Sequence, residues 1–380
     1  MKRIVMAILT ITILTFMLSA CSISVSEESE SSSQKSDSTI LSSVYAILTE
    51  SPTPIPTATP IPTPTPEPTP SPTPNPMDII GSEDVQYPSQ NDEFKYTVYD
   101  SYVEITDYNG PTGVDVVVPT EIDGFPVWVI GREAFSEAEV NSVQLPDGLV
   151  SIGVYTFEYS SLSQIYMPNS LRTIGPAAFL GCEYLTDINI PKNVERISEN
   201  AFEGCDNLTN VTIERGVKEI GGLAFSGTGI VSMELPDSIE MIDGRAFSGC
   251  ANLISVNIPG RVKQLQEGVF YYCENLSEVT LEEGIESLDI ADTLYGVGIF
   301  NSCSSLESII VPKSVNYIGR DALDGWRGDI TILNPNAELS DNMAGRGIKG
   351  KSLTVHGYIG STAAQYCADN DIRFEVISNS

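Results

Sequence analysis

Five cysteines recur at one station of a repeating pattern: Cys182, Cys205, Cys250, Cys273 and Cys303 each lie three residues after a phenylalanine. Thiols so arranged could hold a soft metal, pair as disulfides, or sit buried as small apolar groups. A structural zinc site needs ligands that converge. A straight column drawn from successive copies does not converge, and no histidine lies near it. The column therefore reads as structural, a small side chain that packs like a hydrophobe. Disulfides compete with this reading, because an exported chain meets oxidising conditions and neighbouring copies lie within bridging range. Stacked side chains point in parallel, however, and Thr228 takes the station in one copy. Free thiols are favoured.

Other reactive groups are sparse. His356 is the sole histidine, beside Gly357, and Cys367 is the nucleophile nearest to it in sequence. A nucleophile needs a base held by a third group, and nothing here supplies one. His356 reads as an edge-strand residue. The 51 acidic residues offer many chance carboxylate pairs for glycoside cleavage, but none form a cluster that breaks the periodicity. No Asp/Asn ladder with its Gly and closing Glu marks a calcium loop. The expectation is no catalytic residue, no cofactor and no metal. A net charge of −31 opposes binding to nucleic acid and to bare anionic membrane, and keeps an exported chain dispersed.

Cys21 is a different case. Lys2 and Arg3 precede an uncharged, mostly apolar run from Ile4 to Leu18, which ends in Leu18-Ser19-Ala20-Cys21. The run is too short to span a bilayer comfortably and fits the core of a signal peptide. The last four residues resemble a bacterial lipobox, which implies cleavage before Cys21 and diacylation of its sulfur. Two acyl chains hold a protein on a membrane stably. The expected location is the outer face of the membrane, exposed at the cell surface.

Beyond the anchor, residues 21–50 are Ser/Glu-rich and lack the apolar content to repay ordering. Half of the 24 prolines fall between Pro52 and Pro76. Each fixes its own φ and pushes its predecessor to extended conformations. Residues 51–76 thus read as a polyproline-like stalk of roughly 80 Å, its threonines open to O-glycosylation on composition alone.

The elements that position the cysteines follow from a recurring aromatic. Phe135, Phe157, Phe179, Phe202, Phe225, Phe247, Phe270 and Phe300 are spaced by 22, 22, 23, 23, 22, 23 and 30 residues, and Leu323 takes the ninth place. A period of this length with recurring aliphatics marks a leucine-rich repeat. One copy reads Leu185-x-x-Ile188-x-Ile190-Pro191, then Val194, Ile197 and Ala201-Phe202-x-Gly204-Cys205. The alternating stretch predicts a short strand with one buried face. The proline ends it. Gly-x-x-Ala-Phe, as in Gly175 to Phe179, predicts a glycine turn leading into one short helical or 3-10 turn that drops Phe into the core. No copy can bury its apolar face alone, so copies must stack.

These blocks, Leu-x-x-Ile-x-Ile-Pro, Val-x-x-Ile-Gly and Ala-Phe-x-Gly-Cys-x-Asn-Leu, resemble the BspA-like, or treponemal-type, leucine-rich-repeat family over roughly 129–332. The resemblance implies a surface protein concerned with attachment or protein binding, and it carries no shared catalytic residues. The expected fold is a leucine-rich-repeat solenoid, β-rich, of eight to nine repeats. A parallel strand row should line its concave face, with loops or short turns on the convex face. The segments are 1–20 signal peptide, 21–50 disordered linker, 51–76 stalk, 77–128 N-terminal cap, 129–335 repeats and 336–380 C-terminal cap. Within the caps, Phe94 to Val118 reads as strands and Asp123-Gly124 as a turn. Residues 352–356 and 372–377 read as strands flanking a helix capped by Ser361-Thr362.

Side chains alternate across a strand, so residues between the buried ones face outward. Those residues are Gln144, Gln164, Tyr166, Asp187, Asn189, Asn210, Thr212, Ser232, Glu234, Ser255, Asn257, Glu278, Thr280 and Ser308. They form a polar, mostly uncharged stripe, the candidate face for a macromolecular partner, a protein or a polysaccharide. The stretch of 30 between Phe270 and Phe300 marks an insertion of about seven residues around 289–297, where Tyr295 is a further contact candidate. Two other readings stay open. One is an envelope glycan-binding or glycan-processing protein, the other a structural wall component.

Overall fold

The computed structural model describes residues 79–81, 87–288, 297–345 and 353–378. They lie in one compact unit, Ser71–Ser380. The leader, Cys21, the linker and the stalk fall outside the described residues, as does Tyr295 in the insertion.

The chain is a parallel β-solenoid of about eleven turns. Each turn of the repeat region contributes to two strand rows. The long row runs from Val114–Val117 and Val140–Gln144 through Gln164–Tyr166, Asp187–Ile190, Asn210–Ile213, Ser232–Glu234, Ser255–Ile258 and Glu278–Leu281. It continues through Ser308–Val311, Asp329–Ile332 and Thr354–Gly357 to Arg373–Val376. Where neighbours in it pair, they do so in parallel and in phase with the repeat, as Ile188 does with Val211 and Ile190 with Ile213. The eight to nine repeats read from the phenylalanines are thus extended at both ends by strands of the same row.

The short row consists mostly of two-residue strands, such as Thr173–Ile174, Arg196–Ile197 and Glu219–Ile220, and it ends among the described residues at Glu338–Leu339. Its inward residues, Ile174, Ile197 and Ile220, are fully buried. The row starts on an N-terminal meander in which Phe94–Val98 pairs antiparallel with both Tyr87–Gln90 and Val103–Tyr108. Asp123 and Gly124 both take positive φ, 53° and 83°, and make the hairpin turn between Glu121–Ile122 and Phe125–Ile130.

Between the short row and the next long strand lies the turn that carries Phe. The glycine-led turn is present, with i→i+3 bonds such as Ala178 N–H to the Gly175 carbonyl. It does not run on as a helix, because left-handed residues stand two places before and two places after Phe. Glu133 and Glu137 do so around Phe135, Asn200 and Gly204 around Phe202, and Leu223 and Gly227 around Phe225. The alternation turns every second N–H toward the next rung. Phe202 N–H therefore donates to the Ala224 carbonyl at 2.8 Å, and Gly204 N–H to the Ser226 carbonyl at 2.8 Å. Inter-rung bonding satisfies backbone groups that would otherwise be buried without partners.

The core is continuous. From Phe157 to Phe300 successive rings stack with centroids 5.1–5.8 Å apart and planes within 9° of parallel. The insertion does not break the ladder: Phe270 N–H still donates to the Ile299 carbonyl at 3.1 Å. At the C-terminal end helix α1, Thr362–Asn370, is capped by the Ser361 hydroxyl, which accepts from Ala364 N–H. It buries Ala363, Tyr366 and Cys367.

Candidate functional site

The repeat cysteines are fully or almost fully buried. Each thiol lies against the carbonyl of the phenylalanine one rung earlier. Cys182 donates to Phe157, Cys205 to Phe179, Cys250 to Phe225, Cys273 to Phe247 and Cys303 to Phe270, all at 3.0–3.1 Å. The station thus needs a small donor as well as a small volume. This accounts for Thr228, whose hydroxyl donates to the Phe225 carbonyl of its own rung. Ser160 holds the same station one rung before Cys182, and the two side chains meet at 3.5 Å.

All six described cysteines are free. Burial pushes the Cys250 thiol up to about 11 and Cys303 to about 12, and raises Cys273 further. The neighbouring Cys182 thiol, then burial, raises Cys205. Thiolate is the reactive form, so these groups are held inert. In the native chain, Cys182, Cys205, Cys250, Cys273 and Cys303 are expected to resist alkylation at mildly alkaline pH. All five should label in denaturant without reductant, read by mass shift. Protection that persists in denaturant would mean a disulfide ladder instead.

His356 lies within the long row, not at its edge, because its strand Thr354–Gly357 pairs on both sides. Its Nε2 is 3.6 Å from Asp329 Oδ2 and its Nδ1 is 3.5 Å from Glu375 Oε2. Cys367 is buried on α1, its thiol pushed up to about 11 by desolvation. Among the described residues no group of three or more His, Cys, Asp or Glu side chains is placed to hold a metal.

Gln144, Gln164, Tyr166, Asp187, Asn189, Asn210, Thr212, Ser232, Glu234, Asn257, Glu278, Thr280 and Ser308 are exposed, and Ser255 is half-buried. Tyr166 keeps 59% of its surface in solvent.

The stripe divides by what its side chains already hold. Some are engaged: Asp187 accepts from the Thr186 hydroxyl and the Asn210 amide, each at 2.6 Å, and these bonds hold its carboxyl below the usual range. Asn189 Nδ2 donates to Glu214 Oε1 at 3.0 Å, while Lys192 N–H donates to the other oxygen at 3.2 Å. Asn257 and Gly260 N–H repeat this clamp on Glu282. Glu214 and Glu282 stand where other rungs carry the strand-ending proline, so these two asparagines serve the turn.

Ser232, Glu234, Ser255, Glu278, Thr280 and Ser308 make no side-chain hydrogen bond among the described residues. Three apolar side chains lie among or beside them, missed by the alternation rule applied to polar positions. Ile310, the outward neighbour of Ser308, is 58% exposed; Val231 and Ile254, one residue before their strands, are 42% and 49% exposed. Ile254 N–H bonds to the Val231 carbonyl, so the last two are lateral neighbours.

Solved structures similar to this chain include several leucine-rich repeat proteins. One from T. pallidum is 30% identical, over 57% of this chain and 90% of its own, with TM-score 0.41. One from Bacteroides ovatus is 20% identical over 77% and 100%, with TM-score 0.41. A leucine rich cell surface protein from Faecalibacterium prausnitzii is 20% identical over 78% and 100%, with TM-score 0.38. No curated protein matches. The family model described as BspA type leucine rich repeat region matches in six copies over residues 125–228 and 197–326. With the two strand rows and the phenylalanine ladder in those same residues, the chain belongs to the BspA-type leucine-rich-repeat family.

Proposed function

We propose that the chain is a surface-anchored binding module whose outward long-row face takes an extracellular protein. The observation that carries the reading is the set of outward side chains between Val231 and Ile310 that, Asn257 apart, make no side-chain hydrogen bond among the described residues. There short polar groups with unspent hydrogen-bonding capacity alternate with exposed aliphatic side chains. Repeat solenoids bind along extended faces of this kind. Aliphatic anchors among polar groups suit a protein surface, whereas a polysaccharide is held by a run of aromatic faces, and Tyr166 is the aromatic the stripe offers. The outward residues repeat with the rungs and form no catalytic cluster, so the reading assigns no enzymatic step. Cys21, in its lipobox-like setting, would carry the lipid, and the 51–76 stalk would hold the module away from the membrane.

The test is a screen of the chain against extracellular proteins and polysaccharides, followed by block variants. Combining Ile254→Ser, Thr280→Ala and Ile310→Ser is expected to weaken a protein partner by roughly 30-fold or more, the scale of a lost hot spot. Asp187→Ala with Asn189→Ala should cost less, since those side chains are already engaged. Unchanged binding in both blocks, with loss on deletion of residues 289–297, would move the site to the insertion.

A further inference from the structure

At the C-terminal end of the long row lies a cavity of about 640 Å³. Its cause is the difference in length between the two rows. In inner rungs the segment after each long strand crosses at once to the short row, as 191–195 does before Arg196–Ile197. Among the described residues the short row ends at Glu338–Leu339, while the long row goes on through Thr354–Gly357 and Arg373–Val376. Those last strands lead instead to Tyr358-Ile359 and α1, and to Ile377-Ser378, which leaves a recess beside Leu333 and Pro335.

The walls are amphipathic, with Leu333, Pro335, Ile359, Val376 and Ile377 set beside Lys313, Asn334, Tyr358 and Ser378. Ile359 is 81% exposed and Val376 55% exposed, a costly arrangement for an aliphatic pair in water. Lys313 is the one charged residue that lines the recess. Its ammonium has no ion-pair partner among the described residues, although the chain as a whole carries a charge of −31. The volume falls in the range of small-molecule sites. A lone ammonium is a point charge suited to a single negative charge, without the forked donors that select phosphate.

We propose that this recess binds a small amphipathic carboxylate, its apolar body against Pro335, Tyr358, Ile359 and Val376 and its carboxylate on Lys313 Nζ. The site is separate from the outward stripe and does not depend on it.

Octanoate and its uncharged analogue octanamide are the probes, titrated calorimetrically into the full chain. Octanoate is expected to saturate one site and to bind more weakly as salt is raised. Lys313→Glu should weaken octanoate by roughly ten-fold or more and leave octanamide unchanged, with Lys313→Gln between. Ile359→Ser should weaken both probes. Lys313 and Ile359 are exposed, so these variants keep the fold. Equal octanoate affinity for wild type and Lys313→Glu would overturn the proposal, as would the absence of saturable binding to the wild-type chain.

Discussion

Replacing Phe202 by Ala is expected to destabilise the solenoid by about 3–5 kcal/mol, the usual cost of emptying an aromatic site in a core that cannot collapse. Phe202 is fully buried, with Phe179 at 5.1 Å on one side and Phe225 at 5.4 Å on the other, each within 6° of parallel. Truncation removes two ring contacts at once. The rungs are bonded through backbone on both flanks, from Phe202 N–H to the Ala224 carbonyl and from Phe179 N–H to the Ala201 carbonyl. That bonding keeps the rungs apart and preserves the void.

A stack in which each rung touches only its neighbours has a stability close to a sum of local terms. A gap in mid-stack therefore weakens the coupling of the two halves as well as the total. Urea unfolding followed by circular dichroism should show the midpoint fall and the single transition broaden or divide. Leu323→Ala, at the end of the ladder, should lower stability without dividing the transition. If Phe202→Ala costs less than about 1 kcal/mol, the ladder is not the main core contact that burial makes it.

What the sequence shows and what it hides follow from how each feature is enforced. The phenylalanine ladder, the long strands and the cysteine station are legible because each needs one residue type at one phase of the repeat. Ile188 and Ile190 alternate and Phe202 recurs, so pattern alone finds them.

The short row escapes because two residues, such as Arg196 and Ile197, are too few to show alternation. The left-handed positions escape for another reason. Glu133, Tyr155, Ala177, Asn200, Leu223 and Arg245 all hold φ between 52° and 62°, yet their side chains share nothing. The conformation is imposed by inter-rung hydrogen bonds, and no residue type advertises it. The outward stripe is half legible. Alternation fixes which side chains leave the core, but the Asn189–Glu214 bond joins residues 25 apart and becomes visible only once the rungs are stacked. The recess at Lys313 depends on where the short row stops, which periodicity does not encode.

Gly216→Ala is expected to be at least as damaging as the loss of a core ring, although it adds a single methyl group at the surface side of a turn. Gly216 has φ +138°, a conformation that side-chain-bearing residues rarely adopt. A Cβ built there would stand 2.0 Å from the Lys192 carbonyl oxygen and 2.9 Å from its carbonyl carbon. Both atoms are backbone of the preceding rung, so no side chain can swing aside. Relief requires the two rungs to part, and they are tied by the Glu214 N–H bond to the Ile190 carbonyl at 3.0 Å and by the Glu214 carboxylate on Lys192 N–H.

The substitution therefore sets backbone strain against inter-rung hydrogen bonds, each worth about 1 kcal/mol and more when left unmade in a buried place. Gly284 is built the same way, with φ +117° and the Gly260 carbonyl oxygen 2.3 Å from where a Cβ would stand, so Gly284→Ala should match it. Gly148→Ala is the control. Its φ of +101° is also left-handed, but a Cβ there meets nothing within 4 Å. It isolates the conformational cost, roughly 1–2 kcal/mol for a left-handed residue. Urea midpoints of the three variants separate the contributions. Should Gly216→Ala and Gly148→Ala fall by the same amount, close approach between rungs contributes nothing beyond the backbone angle.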